Sequence, residues 1–232
     1  MAYSYNRPMC GRFSQSPFQA PQALPWPHLQ PAFAALPMRF NLAPSQTAGV
    51  LIKHQDTVQL ATLQWGLLPF WAKDLSLASH TINARLETVD DKPSFRAAFK
   101  ARHAAVPVSG YYEWQATANG KQPYYFHAEN ARPLWIAGLW EPRHALQTDA
   151  STGTFTLITQ AAEGLPASIH SRMPVFLDVL DLENWLSLPA GPSMPFLLTR
   201  TLPELRVHPV SKRVNAGRDD DAGLIEPVLL DA

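Results

Sequence analysis

Sulfur, charge and long apolar runs are all scarce in this sequence. Cys10 is the single cysteine among 232 residues. That excludes an internal disulfide and any multi-cysteine zinc site. Charged residues make up 16% of the chain, well under the usual level of roughly 25%, so the surface relies on neutral polar groups. Lys plus Arg and Asp plus Glu balance at 19 each. No global basic field draws such a chain onto nucleic acid, and any nucleic-acid site has to be a local patch. No run is long and apolar enough to span a bilayer, and "MAYSYNRP" lacks the apolar core of a signal peptide. These absences predict a soluble, cytoplasmic protein with a free thiol.

Proline is plentiful, at 22 residues, and 46% of the chain is hydrophobic. The length suits one large domain with a sizeable core. Residues 14–38, rich in Pro, Ala and Gln, predict short helical pieces broken by proline and laid over the core. "GVLIKH" and "VQLATLQWG" read as two strands around the turn "QDT". "WGLLPFW", with Trp65, Pro69 and Trp71, reads as a packing corner. Ser94 is expected to cap a helix over "FRAAFKAR". "AAVPVSGYYEWQ" reads as a strand that returns through "ATANGKQ" into "PYYFHA". "LWIAGLWEP" and "TFTLITQAA" read as buried strands, and "VLDLENWLS" as a helix with Asp181 at its start. Strands outnumber helices without regular alternation, so an α+β fold is expected. Neither an internal repeat nor an interdomain linker is visible.

Four stretches place reactive residues among apolar ones: "MCGRF", "TINARLET", "SGYYEWQ" and "SIHSRMPVF". Cys10 and His170 form a thiolate–imidazole pair on paper, but His170 reads equally as a structural histidine. Glu113, between Tyr112 and Trp114, faces either solvent or a cleft. In a cleft, desolvation raises its pKa toward the working range of a general acid. Arg12, Arg85 and Arg172 each lie near one of these candidates. Converging, they make a phosphate grip; singly, each is a surface ion-pair partner. A chain beginning at Cys10 would carry an α-amine and a thiol on one residue. The amine condenses with an aldehyde to a Schiff base, and the thiol closes a five-membered thiazolidine. An α-amino pKa of about 7.7–8.0 leaves a useful neutral fraction near pH 7. Met9 is what an initiator-methionine peptidase removes before a small residue.

"MCGRF", "RFNLAPSQ", "WGLLPFW", "INARLET", "GYYEW", "IHSRMP", "HPVSKRVN" and "LIEP" occur in that order. In this the chain resembles the SRAP (SOS-response-associated peptidase) family, from Met9 nearly to the C-terminus. The resemblance implies a single mixed domain over 9–232 with a barrel-like, mostly antiparallel sheet core and peripheral helices. It implies recognition of abasic sites in single-stranded DNA and at ssDNA–dsDNA junctions. The capture step is a thiazolidine cross-link that shields the lesion, with no metal or cofactor. The carried-over roles are Cys10 as nucleophile and Asn83 as the group positioning the amine and adduct. Glu113 is the acid/base group, and His170 assists ring opening and reversal. Arg12, Arg85 and Arg172 match phosphate-holding positions, with Thr159 a lesser candidate for a phosphate contact; Gly11 is carried over as DNA-binding, and Pro44 and Trp114 lie by the flanking bases. A monomer, nucleoid-associated when bound to DNA, is expected.

Three departures stand out. Residues 1–8 precede Met9, so the free amine requires this extension to be absent from the mature protein. Ser109 stands where the family often has a carboxylate. "GRDDDAGLIEP" is more acidic than the family pattern and would weaken DNA affinity if it borders the groove. The competing readings are a thiol-dependent peptidase using Cys10 and His170, and a non-covalent single-strand-binding module.

Overall fold

The computed structural model describes residues 10–18, 23–118, 120–130, 132–142, 144–145, 153–188 and 192–230. Its strands are β1 (Phe13–Gln15), β2 (Arg39–Leu42), β3 (Thr47–His54), β4 (Thr57–Trp65), β5 (Asn83–Arg85), β6 (His103–Val108), β7 (Gly110–Thr117), β8 (Gly120–Ala128), β9 (Leu134–Pro142), β10 (Gly153–Ala161), β11 (Arg172–Pro174), β12 (Phe176–Leu177) and β13 (Leu205–Pro209). Four short α-helices flank them: α1 (Gln30–Ala34), α2 (Arg96–Ala101), α3 (Leu182–Ser187) and α4 (Ser193–Leu198). The expected α+β class holds.

The larger sheet runs β11-β10-β4-β3-β6-β9-β12, and β10 also pairs with β9. That second pairing closes β10, β4, β3, β6 and β9 into a ring, which is the barrel-like core. One seam is parallel, at β10 with β4, and the other four are antiparallel. The smaller sheet runs β13-β8-β7-β1-β2.

Local sequence explains the β3–β4 hairpin. Gln55 and Asp56 both take positive φ, 49° and 61°. Two left-handed residues match the right-handed twist of the flanking strands, and a short aspartate tolerates that backbone. The continuous strand expected over "AAVPVSGYYEWQ" is instead two. β6 belongs to the ring and β7 to the smaller sheet. Ser109 is the switch between them: its N–H donates to Ser14 O at 2.9 Å, and its hydroxyl meets Ser16 at 2.7 Å. Gly110 is required just after it. A Cβ there would lie 2.4 Å from the Phe126 carbonyl oxygen and 2.3 Å from the Tyr125 ring.

Phe13, Trp65, Tyr111, Phe126 and Phe155 pack in one apolar cluster with Cys10, and Trp65 stacks on Phe155. Full burial of a Phe-sized side chain contributes about 1.5–3 kcal/mol. A second cluster joins the ring to its helices through Phe33, Phe99, Trp135 and Trp185.

Several local expectations are corrected. Phe95, not Ser94, is the N-cap of α2, and no side chain caps it. Asp181 does precede α3, but its carboxylate pairs with Arg200, while Asp178 caps the preceding turn through Leu180 N–H. Ser14 and Gln15 belong to β1 rather than to a covering segment. Gln15 is buried and bonded to Gly49 and Pro107. The "WGLLPFW" corner packs at Trp65, which donates to Ile82 O, but Phe70 is 72% exposed.

Candidate functional site

The two sheets meet where β1 lies against β7, and this junction positions Cys10 and Glu113. Phe13 pairs with Tyr111, and Tyr112 N–H donates to Arg12 O at 3.0 Å. Cys10 therefore arrives over the start of β7. It is buried, with a left-handed φ of 45°. A Cβ-bearing residue pays for that backbone with roughly 1–2 kcal/mol of strain, which the surroundings must offset.

The Cys10 N–H donates to Glu113 Oε1 at 2.8 Å. Glu113 is only 3% exposed. Burial pushes its carboxyl up to about 8, against the partial pull of the Cys10 N–H and of Lys121. At pH 7 it is mostly a neutral acid. The Cys10 thiol is also pushed up, first by burial and then by Glu113.

His170 stands on the far side of Glu113, with Nδ1 3.9 Å from Oε2. Burial lowers its pKa, and the Arg172 N–H donates to Nδ1 at 3.2 Å. Nδ1 also lies 3.4 Å from the Arg172 carbonyl oxygen, to which it donates in the other tautomer. The two groups thus shift in opposite directions, and at neutral pH they face each other uncharged rather than as an ion pair. Glu113 lies between the cysteine nitrogen, which it meets at 2.8 Å, and the histidine at 3.9 Å.

β10 gathers the remaining candidates. β5 runs parallel to it, with Asn83 opposite Leu157 and Arg85 opposite Thr159. β11 runs antiparallel on its other side, with Arg172 opposite Ala161. Ile82, beside Asn83, lies in the apolar cluster that holds Cys10. Arg85 is exposed, and Gly11, Pro44 and Asn83 are half-buried. Trp114, also half-buried, donates to Asn215 Oδ1 at 2.7 Å.

The other two arginines are already engaged. Arg12 donates to Asn41 Oδ1 and to Val214 O, each at 2.7 Å, and burial lowers its pKa. Arg172 makes a two-pronged pair with Glu87 and donates to Thr159 O at 2.7 Å. Thr159 is fully buried. It holds Arg172 from beneath and offers no surface to a phosphate. Asn41 and Glu87 are partners of these arginines that the sequence reading missed. "INARLET" contains Glu87, but nothing local joins it to a residue 85 positions away.

The acidic tail is held by cations rather than left free. Asp220 pairs with Arg39 and accepts from the Phe40 N–H, and Asp221 pairs with Arg213. Among the described residues, no group of three or more His, Cys, Asp or Glu side chains is arranged to hold a metal ion. No described helix is long and apolar enough to cross a membrane.

Comparison with known proteins adds four findings. A family model described as "SOS response associated peptidase (SRAP)" matches residues 9–217. The abasic site processing protein YoaM of Bacillus subtilis is 30% identical, over 94% of this chain and 98% of its own. The abasic site processing protein YedK of Escherichia coli is 26% identical, over 95% of this chain and all of its own. A solved structure from Bordetella bronchiseptica superposes with a TM-score of 0.71 at 26% identity, covering 87% of this chain and 100% of that one.

Proposed function

The chain belongs to the SRAP family, akin to the abasic-site processing proteins, and from that premise we propose that it captures abasic sites in single-stranded DNA through Cys10. The observation that carries the reading is the 2.8 Å bond between the Cys10 nitrogen and a Glu113 carboxyl whose pKa is raised to about 8. A proton donor sits at the atom that would condense with the sugar aldehyde.

The steps follow from that placement. The neutral α-amine of Cys10 adds to the open-chain aldehyde carbon. Glu113 protonates the departing hydroxyl, water leaves, and the nitrogen returns its proton to Glu113 as the imine forms. The Cys10 sulfur then adds to the imine carbon. One S–C bond forms, and the thiol proton ends on nitrogen. Amine, thiol and aldehyde become thiazolidine and water, with no change in oxidation state and no metal. Asn83 orients the amine and the adduct. His170, neutral and adjacent to Glu113, relays protons for ring opening and for reversal. The cross-link shields the lesion from strand cleavage.

Phosphate binding falls first to exposed Arg85. Arg12 and Arg172 reach a phosphate by exchanging partners with Asn41 and Glu87. Gly11 lets the backbone approach, and Pro44 and Trp114 supply surface for flanking bases. The active form runs from Cys10, with residues 1–9 removed, and works as a cytoplasmic monomer at single strands and ssDNA–dsDNA junctions. The thiol-peptidase reading is weaker. A Cys–His nucleophile needs a lowered thiol pKa, and here burial and Glu113 raise it.

The test uses protein beginning at Cys10, incubated with single-stranded DNA carrying one abasic site. A heat-stable shifted band on a denaturing gel is expected, absent with Cys10→Ala and with protein retaining Met9. Binding without any covalent band would leave a non-covalent DNA-binding module and end this proposal.

A further inference from the structure

The acidic stretch near the C-terminus does something that the capture chemistry does not use. β2 is the outer strand of the smaller sheet, and Asp220 sits against its backbone. Oδ1 of Asp220 accepts from the N–H groups of Phe40 at 2.5 Å and Asn41 at 3.0 Å. Oδ2 accepts from Arg39 Nε at 2.5 Å. Two successive backbone N–H groups and a guanidinium therefore converge on one pair of oxygens.

That is the donor set of an anion site. Successive N–H groups aimed at one point make a partly positive concavity, and a guanidinium suits two oxygens that share a negative charge. A phosphodiester presents the same pair of oxygens and the same single charge as the carboxylate. The guanidinium is also held independently of its occupant. Arg39 Nη2 donates to Gln46 Oε1 at 2.8 Å, and that oxygen accepts from the Ala43 N–H at 3.1 Å. The side chains of Arg39 and Asp220 are 26% and 27% exposed, so a nucleic-acid strand can reach the pair.

The neighbours of this site are candidate DNA contacts. Segment 214–220, which carries Asp220, also meets Arg12 through Val214 O and Trp114 through Asn215 Oδ1. Asn41 accepts from Arg12 and donates to the carbonyl oxygens of Val214, Ala216 and Asp219. β2 leads through Ala43 into Pro44.

We propose that Arg39 and the N–H groups of Phe40 and Asn41 form a phosphate site for the DNA strand, filled by Asp220 in the free protein. This rests on the abasic-site reading. An entering phosphate displaces the carboxylate, whose side chain swings out while Asn41 keeps the backbone of the segment in place. One anion replaces another, so the site adds little affinity in wild type. Its full contribution emerges when the charge of Asp220 is removed.

The test uses the full chain and oligothymidylate, which has no aldehyde to capture. Affinity is measured across a range of salt for wild type, Asp220→Asn, Arg39→Gln and the double variant. Asp220→Asn keeps an oxygen for the two N–H groups and removes the charge. It should tighten binding about fivefold. It should also steepen the plot of log affinity against log salt by about 0.7, as expected for one added phosphate contact on a single strand. In the Arg39→Gln background the same substitution should do neither. A gain that persists without Arg39 would be a long-range charge effect. No gain at all would make Asp220 a structural clamp on the strand edge, and either result overturns the proposal. Amide NMR reads the site in wild type, whatever the variants do to the fold. Saturating oligothymidylate should shift the Phe40 and Asn41 N–H signals, and unmoved signals would overturn the proposal. Shifts with inorganic phosphate but none with oligothymidylate would make this a free-phosphate site and overturn the DNA assignment. If oligothymidylate binds neither wild type nor any variant, the abasic-site reading fails and takes the DNA assignment with it. Phosphate-induced shifts of those two amides in Asp220→Asn would then still establish the anion site.

Discussion

Glu113 and Glu141 are equally hidden, each 3% exposed, yet they occupy different electrostatic regions. Glu141, near the end of β9, pairs with Arg102 at 2.5 Å. Burial pushes its carboxyl up, and the guanidinium pulls it back. Glu113 has no lysine or arginine within ion-pair distance among the described residues; its close neighbours are the Cys10 N–H and His170. The first arrangement gives the buried carboxyl a cation partner and so ties Arg102, just before β6, to the end of β9. The second keeps a proton on a carboxyl at neutral pH. Burial by itself therefore does not mark a functional acid. The missing cation does.

Exchanging the two residues' chemistry should separate these roles most sharply. Glu113→Gln keeps a neutral, hydrogen-bonding group of the same size but removes the transferable proton. Cross-linking should slow on the order of 10²-fold, with little change in the urea unfolding midpoint near pH 4.5, where the folded carboxyl is as uncharged as the amide. Arg102→Met should do the reverse. It strands Glu141 as a buried carboxylate without its cation, costing about 3 kcal/mol of stability, while the cross-linking rate per folded molecule stays near wild type. Equal rates for wild type and Glu113→Gln would remove Glu113 from the chemistry.

The next effect is in pH. An unfolded glutamate ionises near 4.5, and folded Glu113 does so at about 8. Between those values the folded state holds a proton that the unfolded state has released. Stability linked to Glu113 is therefore complete below about 4.5 and is lost as pH rises through 8. The urea midpoint of wild type should decline from pH 5 to pH 8 more steeply than that of Glu113→Gln. His170, whose pKa is lowered, acts in the other direction. Its contribution is complete above its ordinary value of 6.5 and is lost as pH falls through the lowered one. Parallel curves for wild type and Glu113→Gln would mean that Glu113 is not protonated in the fold.

The contrast also shows what the sequence could reveal. The β3–β4 hairpin was legible because its alternation and turn residues are contiguous. β9 and β10 were legible as apolar runs, but their mutual pairing, which closes the ring, leaves no local trace. The strand switch at Ser109 was hidden for a related reason: β-forming residues run straight through it, and the break comes from Ser14 and Ser16 across the sheet junction. At the site, motif resemblance singled out Cys10, Asn83, Glu113 and His170. It could not show that Arg12 is tied to a carbonyl 202 residues away or that Thr159 is sealed inside. Each of those depends on contacts made only after the chain has folded.

The smallest expected effect lies at the arginine rim, where the same distinction between engaged and free charge applies. Arg12 spends its guanidinium on Asn41 and Val214, whereas Arg85 is exposed on the short strand beside Thr159. A phosphate contact by Arg85 releases condensed counterions, so its loss should show in the salt dependence of binding. Arg85→Ala should weaken affinity for single-stranded DNA a few-fold and flatten the plot of log affinity against log salt by about 0.7. Arg12→Ala should move that slope less. Its cost should appear in the unfolding midpoint, because it removes charged hydrogen bonds worth about 1.5–3 kcal/mol each. Fluorescence titrations at four salt concentrations, with the Cys10→Ala background preventing capture, measure both variants on one scale. A slope unchanged by Arg85→Ala but flattened by Arg12→Ala would reverse the assignment. It would mean that Arg12, once drawn from Asn41, and not Arg85, is the main phosphate contact, and that exposure is a poor guide to which arginine meets the phosphate.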